Sequence, residues 1–345
     1  MKPQPIVVIG GSAGSIHVLI DLLTQLSEDL SAAIFVVVHL NRTAPSNLAM
    51  LLERKCRLPT AFARDQQSIK PGQVYIAPPD YHLFVKPGKI QLIRGPLENR
   101  MRPAIDVLFR SAAVAYQNSV TGIILSGMLD DGVVGLKAIK RCGGITIVQS
   151  PEEAQFPSMP ESAIAQENVD HIVSVEDMGS LIEKYASQPS SEPSAVPEGL
   201  LIESQMVERV MFNSDEMAQI GDTVAQSCPT CSGPLWKMKF PSNSLRYRCH
   251  VGHSFTAHSL LDAQDEASEE ALWVALRTLE ERGRLLERIS EDTKQKGSHA
   301  LAETYQARAE EALNHANSIR RLLYSLGSRD TMAEETQERR DKQIG

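Results

Sequence analysis

The chain has 345 residues, more than one ordinary core holds, and a formal net charge of -8 with 23% charged residues. That balance argues against general nucleic-acid affinity, which needs a positive surface, and the lack of a long apolar run excludes membrane insertion. Met1-Lys2-Pro3-Gln4-Pro5 carries no apolar signal core, and five cysteines in so long a chain make no disulfide framework, so a cytoplasmic location is expected.

The first predicted element is a β-branched run, Ile6–Ile9, which enters Gly10-Gly11-Ser12-Ala13-Gly14 before a helical pattern over Ser15–Gln25. A strand, G-x-S-x-G and a helix in that order form a nucleophile elbow, a sharp turn that exposes the Ser12 hydroxyl at a sheet edge. Its glycines allow positive φ and close packing. A phosphate-binding loop is the competing reading, but neither G-x-G-x-x-G nor G-K-[ST] is present.

Further apolar runs follow at Ile34–Val38, Val74–Ala77, Leu83–Val85, Ile90–Ile93, Gly122–Leu125, Ile145–Val148 and His171–Val173. Helical patterns separate them at Ser46–Cys56, Ala104–Gln117, Gly132–Arg141 and Pro160–Gln166. Continuous runs suit strands buried on both faces, so residues 1–186 read as an α/β domain with a doubly wound, mainly parallel sheet. Pro87-Gly88-Lys89 between two short runs predicts an antiparallel hairpin.

Function in such sheets gathers beyond the carboxyl ends of strands. Strand one ends at Ser12, Ile34–Val38 ends at His39, and Gly122–Leu125 leads to Asp130-Asp131-Gly132. A serine needs a base within hydrogen-bond reach, and the base an orienting carboxylate. Taken singly, these are also common turn, structural and capping residues.

The chain resembles the CheB-type protein-glutamate methylesterases of bacterial chemotaxis over residues 5 to about 183. The resemblance rests on Gly10-Gly11-Ser12-Ala13-Gly14, Val38-His39, Tyr75-Ile76-Ala77-Pro78, the stretch from Arg102-Pro103 to Arg110-Ser111, Leu125-Ser126-Gly127-Met128-Leu129-Asp130-Asp131-Gly132, and Met159-Pro160. It implies Ser12 as nucleophile, His39 as general base and Asp131 as orienting acid, with the backbone N–H groups of Ala13 and Met128 as oxyanion donors. It implies no catalytic cofactor. The substrate it implies is a methylated chemoreceptor-type protein, demethylated at glutamyl esters, with deamidation of glutamines alongside. The departures are Ala13 where the family often has Thr, Leu129 where it often has Gly, and a strand within the first ten residues, so that the N-terminal receiver domain of chemotaxis members is expected to be absent. Arg100, Arg102 and Arg110 are candidate contacts for an acidic substrate, or structural ion pairs.

Residues 187–200 are rich in Pro and Ser and predict a linker. In the segment that follows, 201–262, Cys228-Pro229-Thr230-Cys231 and Cys249 with His253 offer four ligands at knuckle spacing, as in a closed zinc-ribbon-like site. His250 is the alternative fourth ligand, disfavoured beside Cys249, and a redox C-x-x-C is the alternative chemistry. Residues 263–327 predict an antiparallel helical hairpin broken near Gly297, a candidate for self-association. The charged residues 328–345 predict a disordered tail. The competing function is a non-catalytic signalling adaptor on an esterase scaffold.

Overall fold

The computed structural model describes residues 4–40, 42, 46–166, 168–188, 194–209, 214–239 and 245–344, with backbone alone at 214 and 326–344. Contacts divide the chain into two compact units, Met1–Leu261 and Asp262–Gly345.

In chain order the first half contains β1 (Ile6–Gly11), α1 (Ser15–Gln25), β2 (Ala33–Val38), α2 (Leu48–Lys55), β3 (Thr60–Phe62), β4 (Val74–Ile76), β5 (His82–Lys86) and β6 (Lys89–Ile93). It continues with α3 (Ile105–Tyr116), β7 (Val120–Ile124), α4 (Val133–Arg141), β8 (Ile145–Gln149), α5 (Ser158–Gln166), β9 (His171–Val173) and α6 (Val175–Ser187). Seven strands form a parallel sheet in the order β3-β4-β2-β1-β7-β8-β9, and β5 pairs with β6 as a separate antiparallel hairpin. The expected mainly parallel sheet with its hairpin is therefore what the chain forms.

Alternate residues of the central strands feed two cores. Val8, Phe35 and Val37 meet Ile105, Leu108 and Phe109 of α3 and Met159 of α5 on one face. Val7, Ile9, Ile34 and Val36 meet Leu19, Leu22 and Leu23 of α1, Leu52 of α2 and Ile182 of α6 on the other. Each such side chain, fully buried, contributes about 1.5–3 kcal/mol, enough to fix strand facing and register. Two elements of this half went unread in the sequence. β3 has three residues, too few for a period, whereas α6 announces itself through Ser174, whose side chain accepts the Asp177 N–H as an N-cap.

The expected linker 187–200 is shorter at its far end. Residues 198–200 already open α7 (Glu198–Arg209), because Leu200 is buried in the core that contains α3; residues 189–193 lie outside the described residues. After α8 (Ser214–Ile220), four antiparallel strands form one sheet: β10 (Gly221–Ser227), β11 (Pro234–Met238), β12 (Arg246–Cys249) and β13 (Ser254–Thr256). Its apolar support is small and uses Met206, Met217, Ile220, Trp236 and Met238.

The second unit is helical. It comprises most of α9 (Ala257–Gln295) and α10 (His299–Ile344), which turn at Gly297 with φ 86. Leu272, Leu276 and Leu279 pack with Ala316, Ile319 and Leu323, as expected of an antiparallel hairpin. Gly283 allows close approach, since a Cβ there would lie 2.8 Å from Leu313. The tail expected to be disordered continues α10 to Ile344; its run of Ala, Glu, Gln, Arg and Lys has high helix propensity even without an apolar stripe.

Candidate active site

The order β2-β1-β7 brings three carboxyl ends side by side. Ser12 follows β1, His39 follows β2, and Asp131 lies beyond β7. The elbow is locked by backbone bonds: Ser12 N–H donates to Ser126 O at 3.0 Å and His39 N–H to Gly11 O at 3.3 Å. Gly14 takes φ 73 at the N-terminus of α1, a conformation that disfavours any Cβ. Gly10 serves by size instead, because a Cβ there would lie 2.3 Å from Ile105.

Ser12 Oγ lies 3.1 Å from His39 Nδ1, and His39 Nε2 lies 2.8 Å from Asp131 Oδ2. An ionised Asp131 accepts only, so the neutral ring carries its proton on Nε2. Nδ1 is then bare and faces the serine hydroxyl. The sequence identifies the three residues but not which ring nitrogen serves which neighbour.

Asp131 caps a helix from 26 residues away in sequence. Oδ2 accepts the Ile105 N–H at 2.7 Å, and Oδ1 accepts the Asp106 N–H at 3.3 Å and the Asn99 side-chain N–H at 3.0 Å. These are unpaired donors at the positive end of α3, whose own Ala104 offers no side-chain cap. Burial pushes the Asp131 carboxyl up, but the His39 bond and charge, Asn99 and the Ile105 N–H together bring it below its usual range. Asp106 behaves oppositely: burial and the neighbouring Asp131 charge raise it to about 7, against the pull of Arg110, Arg246 and the Gly135 N–H.

The loop after β7 runs against the serine. A Cβ on Gly127 would lie 2.9 Å from Ser12 Cβ and 2.8 Å from Met159 Sδ. Gly127 N–H donates to Phe156 O and Ser126 Oγ donates to Ala13 O. Met128 is next in this loop, with its side chain 55% exposed, and Ala13 follows Ser12. Of the arginines considered for substrate, Arg110 is buried and bonded to Glu98, and Arg102 is tied to Asp80 and Gly95 O. Both are structural here, because α3 and the 95–103 loop turn them inward.

A family description, CheB methylesterase, matches residues 7–182. The chain belongs to the CheB methylesterase family. The Thermotoga maritima CheB methylesterase catalytic domain superposes with a TM-score of 0.51 at 32% identity, covering 52% of this chain and 98% of that one. A Leptospira interrogans relative is 38% identical over 176 residues, 51% of this chain and 91% of its own length. A Trichodesmium erythraeum protein named protein-glutamate methylesterase/protein-glutamine glutaminase is 40% identical over 159 residues, 45% of each chain.

The CheB match ends before the Cys/His segment. There the ligand atoms of Cys228, Cys231, Cys249 and His253 all lie within 4.8 Å of one another. Cys231 Sγ is 3.7 Å from Cys249 Sγ, and His253 Nδ1 is 3.5 Å from Cys249 Sγ and 3.7 Å from Cys228 Sγ. A tetrahedron with zinc–ligand bonds of the usual length has edges of about 3.6–3.8 Å, so the donor set fits such an ion in chemistry and size. Ser232 at φ 59 and Gly252 at φ 110 turn the two knuckles. The hydrogen bonds of Cys228, His253 and Cys231 outweigh burial and draw the Cys249 thiol down to about 3.

Two arginines on one face of β12 enter a buried ion cluster that includes α7, and through Glu98 one of them, Arg248, reaches the CheB domain. Arg248 reaches Glu98 at 3.4 Å and Arg246 reaches Glu203 at 2.5 Å, while Arg110 bonds Glu98 at 2.5 Å. Sequence reading missed these buried pairs and Asn99, since nothing local marks residues from distant segments as partners. Among the described residues, no helix is long and apolar enough to cross a membrane.

Proposed function

We propose that the protein is a serine esterase that hydrolyses glutamyl methyl esters on chemoreceptor-type proteins and deamidates glutamine side chains by the same route. Ser12 Oγ attacks the ester carbonyl as its proton passes to His39 Nδ1. Asp131 holds Nε2–H and stabilises the charged ring. The tetrahedral oxyanion falls to the backbone N–H groups of Ala13 and Met128, each such donor being worth about 10²–10³ in rate. His39 returns the proton to the leaving oxygen and methanol departs. Water then attacks the acyl-serine with His39 again as base, releasing the carboxylate. A glutamine loses ammonia in place of methanol.

The observation that carries this reading is the unbroken series of hydrogen bonds from Ser12 Oγ through both ring nitrogens to Asp131. The names of the relatives agree with it. Cys228, Cys231, Cys249 and His253 hold a structural zinc in this reading: four protein ligands close a tetrahedron, and the small core around Trp236 leaves the fold of this segment dependent on the ion.

The test is methanol release from methylated receptor fragments. Ser12→Ala abolishes it while the melting transition stays in place. Full activity in that variant refutes the assignment, and failure of a fluorophosphonate probe to label Ser12 in the native chain favours the adaptor.

A further inference from the structure

The C-terminal sheet touches the loop that supports the acid of the active site. Residues 97–101 pair with the free edge of β13: Ser254 N–H donates to Leu97 O at 3.2 Å, and Asn99 N–H donates to Ser254 O at 2.8 Å. The loop needs such support, because Asn99 and Arg100 both have positive φ, 49 and 66, which non-glycine residues adopt at a cost. The contact then continues into the Asn99 side chain. Its Oδ1 accepts the Thr256 N–H at 3.1 Å, a proton shared with Ser259 Oγ at 2.9 Å, and lies 3.3 Å from the Ser259 hydroxyl, which is as close to Thr256 O. A backbone N–H can only donate, so the oxygen end of the amide must face Thr256. The nitrogen end is thereby aimed at Asp131 Oδ1 and Asp106 Oδ2, both at 3.0 Å.

A second contact repeats the direction. Thr256 Oγ1 donates to Asp130 Oδ1 at 2.8 Å, and His258 Nδ1 lies 3.2 Å from Asp130 Oδ2. The residue before Asp131 is thus held by the same stretch that holds Asn99. All of these groups except His258 are buried, where a hydrogen bond to a carboxylate is strong and its loss expensive.

We propose that the C-terminal sheet is a positioning arm for the esterase: Ser254, Thr256 and Ser259 fix Asn99, and the Asn99 amide holds the Asp131 carboxylate square to His39. The inference rests on the esterase reading for its catalytic consequence, but not for the docking itself. Asn99 touches neither substrate nor serine, so it is a positioning residue. His253, a ligand of the Cys/His site, directly precedes Ser254, and a metal ion held there sets where β13 begins. An enzyme built this way is active only while its appended sheet is folded and seated.

The experiment uses the full chain in two arms. In the first, Asn99→Ala lowers kcat about ten- to hundredfold with KM unchanged within about twofold, as expected when one bond to a buried carboxylate orienting the base is lost. An unchanged kcat overturns the proposal, and so does a loss confined to KM. Should this variant fail to fold, Ser259→Ala takes its place with an expected fall of about two- to tenfold. In the second arm zinc is stripped with a chelator, its removal verified by metal analysis, and then restored. The amide of Asn99 exchanges its hydrogen faster in the stripped protein, fluorophosphonate labelling of Ser12 slows, and added zinc reverses both. Faster exchange with unaltered labelling refutes the link to Asp131; unaltered exchange refutes a metal-set arm. A zinc-loaded protein that takes no label refutes the esterase instead, while exchange still decides the docking.

Discussion

Replacing Asp131 by asparagine tests the site at its most demanding point. All four groups around this carboxylate donate: His39 Nε2–H and Ile105 N–H to Oδ2, Asn99 Nδ2–H and Asp106 N–H to Oδ1. An asparagine has one accepting oxygen, so its NH₂ must face two donors whichever way it turns. If it faces His39, the ring proton shifts to Nδ1 and Ser12 loses its base. If it faces the start of α3 and Asn99, two buried donors go unpaired at about 1–3 kcal/mol each. The first arrangement predicts a fall of about 10⁴ in kcat, or about 5.5 kcal/mol of transition-state stabilisation, with the smaller stability loss of one unpaired donor, the Ile105 N–H, at about 1–3 kcal/mol. The second predicts a loss of about 2–6 kcal/mol in folding stability. Methanol release and urea unfolding on the same preparation separate the two. Activity within tenfold of wild type, with unchanged stability, would refute the reasoning.

Other consequences are as direct. Burial raises the Glu98 carboxyl, but the charges of Arg110, Arg248 and Arg246 outweigh it and hold it near 2, against 4.5 for the free group. Its contribution, about 3 kcal/mol, is therefore complete above pH 4.5 and lost as the pH falls toward 2. Urea midpoints should show wild type and Glu98→Gln converging over that window; a constant gap contradicts the pairing. Gly127→Ala places a methyl against Ser12 and Met159, and should cut kcat at least tenfold while the far-UV spectrum is retained. Unchanged kinetics there would mean the loop after β7 is looser than these distances allow.

Much of this protein can be read in order along the chain. The apolar runs that became β1, β2, β7 and β8 are continuous because both faces of those strands are buried, and that pattern alone predicts a parallel sheet. Ser12 and His39 stand out because each directly follows a strand, and Asp131 because it lies at the end of the loop between β7 and α4. The knuckle spacing of Cys228, Cys231, Cys249 and His253 is likewise local. In each case the signal lies within a few residues, where chain geometry imposes a fixed period.

Other features exist only once distant segments meet. That β2, β1 and β7 are neighbours, that Nδ1 rather than Nε2 faces the serine, and that Asp131 caps α3 all depend on packing between elements. Arg110 looks like a surface cation in sequence and proves to be the buried partner of Glu98, because α3 faces inward there. Asn99 carries no motif at all; its importance comes from one amide placed between Asp131 and Thr256. Local propensity and hydrophobic period determine which segments become strands and helices, and the folded arrangement decides which polar atoms come within 3 Å of each other. Hydrogen-bond chemistry at this site depends on that distance and not on separation along the chain.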